Sequence, residues 1–322
     1  MTESKKRITV IGSYNVGLFL TGRKIPQIGE TVIGDHFLEG GGGKGSNQII
    51  TASKMGALTT FIGCVGDDKY GNDAIGLYTE LNIDSSMMHV DRSHHTGISV
   101  IFIDECGRNS IMVIPGANHL LSKKNIDDAE EVILSSFIVG FQLENNLDIV
   151  SYGINKVHAL GVQTLLDPAP AQRLPDELYP CISIIKPNEH EATVLCGFTV
   201  NDVESAKEAG RWFVDKGVQT AIVTLGAMGA VLVQKNMEQF FPAIPVNPVD
   251  TTGAGDCFSG ALMAALADGN KMGQAIPFAH ATAALSTMKN GVVNAIPSYD
   301  EVVEMLNRNK HLYDTTGESR GL

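Results

Sequence analysis

The sequence predicts an α/β fold in which helices pack around a mainly parallel sheet, with a small strand-built flap over one edge. Three observations carry this expectation. Short β-branched runs alternate with helical stretches over most of the chain, the pattern of βαβ units. The 322 residues are 43% hydrophobic, enough for one large core or a core with a small appendage. Two regions, 17–38 and 97–115, break the alternation. The second has the form of a hairpin, with runs at 98–104 and 110–114 flanking Glu105-Cys106-Gly107-Arg108-Asn109.

In chain order, strands are expected at 8–11, 59–64, 137–143, 164–166, 182–186 and 221–225, each a short apolar or β-branched run. Helices are expected between them at 46–55, 72–81, 147–160, 189–196, 203–216, 256–267 and 274–288. The irregular regions read as a lid that excludes water from a site beneath. The resulting division is a core of 1–14, 39–96 and 116–309, a lid of 15–38 and 97–115, and a polar, frayed tail of 310–322.

Composition narrows the function. A net charge of −12, with no basic run longer than Lys5-Lys6-Arg7, repels nucleic acid and anionic membranes. Residues 1–10 are polar and charged, so no signal peptide is expected. No stretch approaches the roughly 18 apolar residues of a membrane span, and a cytoplasmic protein is expected. The five cysteines are scattered and read as small buried hydrophobes, and the nine histidines lack metal spacing. His94-His95 reads as a solvated turn.

Four segments carry chemistry. In Asp250-Thr251-Thr252-Gly253-Ala254-Gly255-Asp256, small residues running into a helix leave backbone N–H groups at a positive helix end, an anion hole with a carboxylate at its rim. The plainer alternative is that Asp256 only caps the helix. Glu39-Gly40-Gly41-Gly42-Gly43-Lys44-Gly45-Ser46-Asn47 fails as a phosphate-binding P-loop, because Gly45 follows Lys44 and Leu38 stands five before Gly43. What remains is a backbone open to a polyhydroxylated ligand, with Lys44 and Asn47 as donors, or else a surface loop. Lys186-Pro187-Asn188-Glu189-His190-Glu191 offers Asn188 and Glu191 to Mg²⁺ through water, or a capping box. Thr224-Leu225-Gly226-Ala227-Met228-Gly229 ends a strand on the ligand side of a parallel sheet, or simply turns a hairpin into 230–233.

In this order the four segments resemble the ribokinase-like (PfkB) carbohydrate kinase family from about residue 8 to 307, and within it the ribokinases most. Gly42 to Asn47 is similar to the family's N-terminal signature and Asp250 to Asp256 to its C-terminal one. The same likeness appears in Gly12-Ser13-x-Asn15, Gly29-Glu30-Thr31, Gly66-Asp67-Asp68, Gly116-Ala117-Asn118, Gln142-Leu143-Glu144, Pro168-Ala169-Pro170-Ala171 and Phe278-Ala279-His280-Ala281. The resemblance implies a three-layer α/β/α core with a β lid, and ATP-dependent phosphorylation of a pentose-type sugar. Asp256 would be the base and the N–H groups of Gly253, Ala254 and Gly255 the anion hole. Asn15, Gly43, Lys44, Asn47 and Glu144 would hold the sugar. Asn188, Thr224, Gly226, Gly229, Gly255 and His280 would contact ATP, with Glu191 on Mg²⁺. Asp250, Thr252 and Gly291 would take K⁺, and a homodimer would form through the lid.

One departure bears on the substrate. Ribokinases carry an Asp two residues after the sugar-binding Asn, and this chain reads Asn15-Val16-Gly17. Without that carboxylate for a diol, the expected acceptor is a sugar with different hydroxyls at those carbons, or a bulkier one filling the space at Gly17. The competing readings are a nucleoside or ketose kinase on the same scaffold, and an inactive sugar- or nucleotide-binding protein.

Overall fold

The computed structural model describes residues 6–313, and the short apolar runs become the strands of two sheets. The first seven are β1 (Arg7–Ile11), β2 (Asn15–Thr21), β3 (His36–Gly42), β4 (Leu58–Gly66), β5 (Ile83–Asp84), β6 (Met88–Asp91) and β7 (Gly97–Ile103). Then come β8 (Asn109–Ile114), β9 (Ser136–Phe141), β10 (Gln163–Leu166), β11 (Ile184–Ile185), β12 (Thr220–Thr224), β13 (Gly229–Gln234) and β14 (Met237–Pro242). The helices begin with α1 (Lys44–Lys54), α2 (Lys69–Glu80), α3 (Lys123–Asp128), α4 (Glu130–Leu134) and α5 (Leu147–Ala159). They continue with α6 (Glu189–Cys196), α7 (Val203–Asp215), α8 (Ala254–Ala267), α9 (Met272–Ser286) and α10 (Tyr299–Arg308).

The large sheet runs β14-β13-β12-β11-β10-β9-β1-β4-β5, with β6 also paired to β4. Neighbours from β12 to β5 are parallel, and β13 and β14 add an antiparallel edge. Side chains alternate across a strand, and here both faces are dry. Ile8 and Val10 of β1, Leu165 of β10 and Ile222 of β12 enter a core beneath α1, α8 and α9. Ile11, Leu166, Ala221 and Val223 enter a second core beneath α5, α6 and α7. The result is the three-layer α/β/α arrangement expected.

Helix α8 is apolar almost all round and lies buried between the sheet, α1 and α9. Its contact with α1 is closer than any side chain allows: a Cβ added at Gly260 would sit 2.3 Å from the Gln48 carbonyl oxygen. This closeness fixes the N-terminal ends of the two helices relative to each other.

The small sheet runs β3-β2-β7-β8, with β2 and β7 parallel and the outer pairs antiparallel. The glycine run from Gly40 to Gly42 is the end of β3 and pairs with β2, so it is a strand and not a loop. It stops at Gly43, which caps α1 with φ 89°, a left-handed backbone that glycine adopts without cost.

Several boundaries differ from the sequence expectations. Strand β11 keeps only two residues of 182–186, and β9 stops at Phe141, leaving Gln142 and Leu143 in the connection. Helix α8 begins at Ala254 because Gly253, in the left-handed region, starts the turn two residues early. Only the first four residues of the expected tail, 310–313, are described. Lys310–Leu312 form a 3-10 turn, and the Tyr313 hydroxyl donates to the Pro242 carbonyl at 3.0 Å, while 314–322 lie outside the described residues. Cys64 and Cys257 are buried as expected, whereas Cys106 is exposed on the lid turn. Among the described residues no helix is long and apolar enough to cross a membrane.

Candidate active site

Strand order reverses around β1: the chain steps outward through β4 on one side and through β9, β10, β11 and β12 on the other. In open α/β sheets the ligand crevice lies beyond the carboxyl ends of the strands at such a point. Polar residues follow those ends here: Ser13 and Asn15 after β1, Glu144 after β9, Asp167 after β10, and Lys186 and Asn188 after β11. The N-termini of α1 and α8 point at the same place from the neighbouring layer.

Asp256 is the third residue of α8, and its carboxylate accepts from Asn47 Nδ2 at 2.8 Å. It makes no cap hydrogen bond, so the plainer reading, that Asp256 only caps the helix, does not hold. Burial pushes its carboxyl up, the facing Lys44 ammonium draws it back down, and Asp167 adds to the rise. Lys44 is half-buried, and the Asp256 charge raises its pKa against desolvation, helped by Asp167 and Glu144. The two side chains line one cleft where the N-termini of α1 and α8 meet. Gly253, Ala254 and Gly255 line the same cleft. The Ala254 N–H already donates to the Thr251 carbonyl at 3.3 Å, which makes it the weakest donor of the three.

A second group of polar residues clusters on Glu144. Its Oε2 accepts from the Lys44 backbone N–H at 2.9 Å, from Asn15 Nδ2 at 3.4 Å and from the Ser13 hydroxyl. Gly43 is required by the same closeness, since a Cβ there would lie 2.7 Å from the Asn15 nitrogen. Asn15 is held in turn by Asn118, whose amide nitrogen donates to Asn15 Oδ1 and to the Tyr14 carbonyl, each at 2.9 Å.

On the other side of Asp256 opens a cleft of about 640 Å³. Asn188, Glu191, Thr224, Gly226, Gly229 and His280 all line it. Asn188 and Glu191 do form a capping box, with backbone N–H bonds of 2.8 Å in both directions, and both remain on the cleft wall. Burial raises the Glu191 carboxyl, and Asp167 adds to the rise. The turn at Gly226 does lead a hairpin, β12 to β13, and still faces the cleft. His280 is pushed down to about 4 by burial, so its ring is neutral, and it packs on Phe258 with ring centroids 5.3 Å apart. Asp250, Thr252 and Gly291 gather beside the cleft: the Asp250 carboxylate accepts from the N–H of Thr252 at 2.9 Å and of Gly291 at 3.1 Å.

Two features stand out that the motif spacing did not assign. Lys186 and Asp167 form an ion pair of 2.9 Å with both side chains almost fully buried, and Lys186 Nζ reaches the Gly255 carbonyl at 3.3 Å. Asp167 Oδ2 also accepts from Gln48 and Ser259, each at 3.0 Å, while Oδ1 is buried with no partner. The other is an apolar part of the cleft lining, Ile244, Pro245, Val246 and Pro248 together with Ala283 and Ala284 of α9.

A family model described as pfkB family carbohydrate kinase matches residues 5–298 of this chain. Ribokinase from Haemophilus influenzae is 36% identical over 302 residues, covering 94% of this chain and 99% of that protein. Deoxyribokinase from Salmonella typhimurium is 34% identical over 304 residues, covering 94% and 99%. Among solved structures, Arabidopsis thaliana ribokinase complexed with ribose and ATP superposes with a TM-score of 0.87 at 28% identity, covering 94% of this chain and 98% of that one.

Proposed function

Since the chain belongs to the pfkB family of carbohydrate kinases, we propose that it transfers the terminal phosphoryl group of ATP to a hydroxyl of a pentose-type sugar, with Asp256 as the base. It is an ATP-dependent carbohydrate kinase. The observation that carries the finer reading is the buried Asp256 carboxylate in the first turn of α8, held by Asn47 Nδ2 at 2.8 Å and sharing the cleft wall with Lys44, between the polar cluster on Glu144 and the larger cleft.

In this reading the sugar lies against Asn15, Gly43, Lys44, Asn47 and Glu144, with the reacting hydroxyl at Asp256. ATP occupies the large cleft, its base between the 244–248 wall and α9 near His280, and its phosphates along Thr224, Gly226, Gly229 and Asn188. Phosphoryl transfer needs positioning and charge stabilisation more than covalent chemistry. The N–H groups of Gly253 and Gly255, at the positive end of α8, receive the charge that builds on the moving group, with Ala254 contributing less. Asp256 accepts the hydroxyl proton as the new bond forms. Lys186 keeps Gly255 in place through its carbonyl and adds positive charge beneath the phosphates.

The buried, unpaired Asp167 Oδ1 and the Glu191 carboxylate fit a hydrated Mg²⁺, and these residues would hold one through water. A Mg²⁺ held there would supply positive charge to offset that of the phosphates. Asp250 ties the Thr252 and Gly291 loops into a frame suited to K⁺. One face of the lid sheet exposes Phe37 (62%) and Met112 (65%), an apolar surface that supports pairing of two copies through the lid.

Coupled ADP release with Mg-ATP and K⁺ tests the function across pentoses, deoxypentoses, ketohexoses and nucleosides. A single favoured pentose-type acceptor is the expected result. Binding of ATP with no ADP released from any acceptor would overturn the catalytic reading.

A further inference from the structure

Strand β2 starts at Asn15, which is bonded to Glu144 in the acceptor cluster. Side chains alternate along a strand, so Gly17 and Phe19 continue the face that carries Asn15. Through the strand pairings, that face also carries Gly40 of β3 and Gly97, Ser99 and Ile101 of β7. It is the side of the lid that carries the Asn15–Glu144 contact.

Gly17 is buried, and the space beside it is not open. A Cβ at that position would lie 2.8 Å from Phe19 Cε2 and 3.2 Å from Cζ. The Phe19 ring therefore leans back along β2 toward Asn15, over the glycine. This removes one of the two options the sequence left, a bulkier sugar filling the space at Gly17, because the ring fills it. The wall offers a ring edge, glycine backbone and the apolar Ile101, with the Ser99 hydroxyl in register with Gly17.

We propose that Phe19, folded over Gly17, sets the acceptor specificity, so that the sugar is a deoxypentose turning a methylene rather than a vicinal diol toward β2. The proposal rests on the kinase reading above and narrows its acceptor. Ser99 can satisfy one hydroxyl, but a second one pressed against the ring loses its water and finds no carboxylate, only the Gly40 carbonyl oxygen 3.6 Å from the Cβ position of Gly17. Such a loss weakens binding by about ten- to a hundredfold. A CH₂ group at the same place packs against the aromatic face instead.

The test compares kcat/KM for 2-deoxyribose, 3-deoxyribose and ribose in the wild type and in the variants Phe19→Ala, Phe19→Leu and Gly17→Asp/Phe19→Ala. The KM for ATP and the thermal midpoint are followed alongside. The wild type is expected to favour one deoxypentose over ribose by about tenfold or more. Phe19→Leu keeps most of that ratio, Phe19→Ala brings it near one, and the double variant reverses it, with the ATP KM unchanged throughout. Ribose used as well as or better than both deoxypentoses by the wild type would overturn the proposal. So would turnover confined to hexoses or nucleosides, or a ratio that survives Phe19→Ala. No ADP released with any acceptor in any of the proteins would instead sink the kinase reading itself.

Discussion

Asp256 sits under opposing influences. Burial and the nearby Asp167 carboxylate raise its pKa, while Lys44, Asn47 and Lys186 stabilise the charged form. Because a raised carboxyl must lose its proton before it can accept one, activity falls as pH drops, and the acid limb of kcat/KM lies above the ordinary aspartate value of about 3.9. Lys44→Met removes the largest opposing charge, so the limb moves to higher pH and the sugar KM rises. A limb that stays in place would show that Lys44 does not act on Asp256. Lys186→Met leaves the Asp167 carboxylate buried with its cation gone, and stability falls by about 3–5 kcal/mol in denaturant titration. A loss below about 1 kcal/mol would mean that water replaces the ammonium. His280 titrates in the other sense. Its folded pKa of about 4 lies below the unfolded value, so the unfolded chain binds the extra proton between about 6.5 and 4, and this group lowers stability as pH falls through that window.

Helix α1 and helix α8 carry Lys44, Asn47 and Asp256, and their spacing depends on Gly260. Gly260→Ala forces the Gln48 backbone away and is expected to cost about 1–3 kcal/mol while lowering kcat, because the Asn47–Asp256 bond of 2.8 Å is stretched. Unchanged thermal stability in that variant would mean the helices shift freely. At this scale the sequence was legible wherever local chemistry decides. The β-branched runs, the Asn188-x-x-Glu191 box and the glycines before α8 all placed their elements within a few residues. It was less legible where tertiary pairing decides. Nothing local marks Gly40 to Gly42 as strand, because glycine disfavours strands and only pairing with β2 holds them there. Helix α10 has a capping box at Ser298 and Glu301 and an amphipathic pattern, so its signal was present in the chain. Asp167 and Lys186 could not be paired from spacing, since only the parallel register of β10 and β11 brings them together.

Across the whole molecule, the two sheets divide the work. The large sheet supplies loop positions at its carboxyl edge, and the small sheet carries Asn15 and the Gly17–Phe19 wall beside the Glu144 cluster. The apolar residues exposed on the lid predict a dimer by light scattering, with Met112→Asp and Phe37→Asp shifting it toward monomer; a wild-type monomer at micromolar concentration would contradict this. The central claim is that Asp256 acts on the acceptor while ATP is held by other groups. Its most direct test is the single-turnover rate of phosphoryl transfer in Asp256→Asn, measured beside ATP affinity. The expected result is a rate lowered by about 10²–10⁴-fold with ATP affinity retained, and a rate within a few-fold of wild type would contradict it.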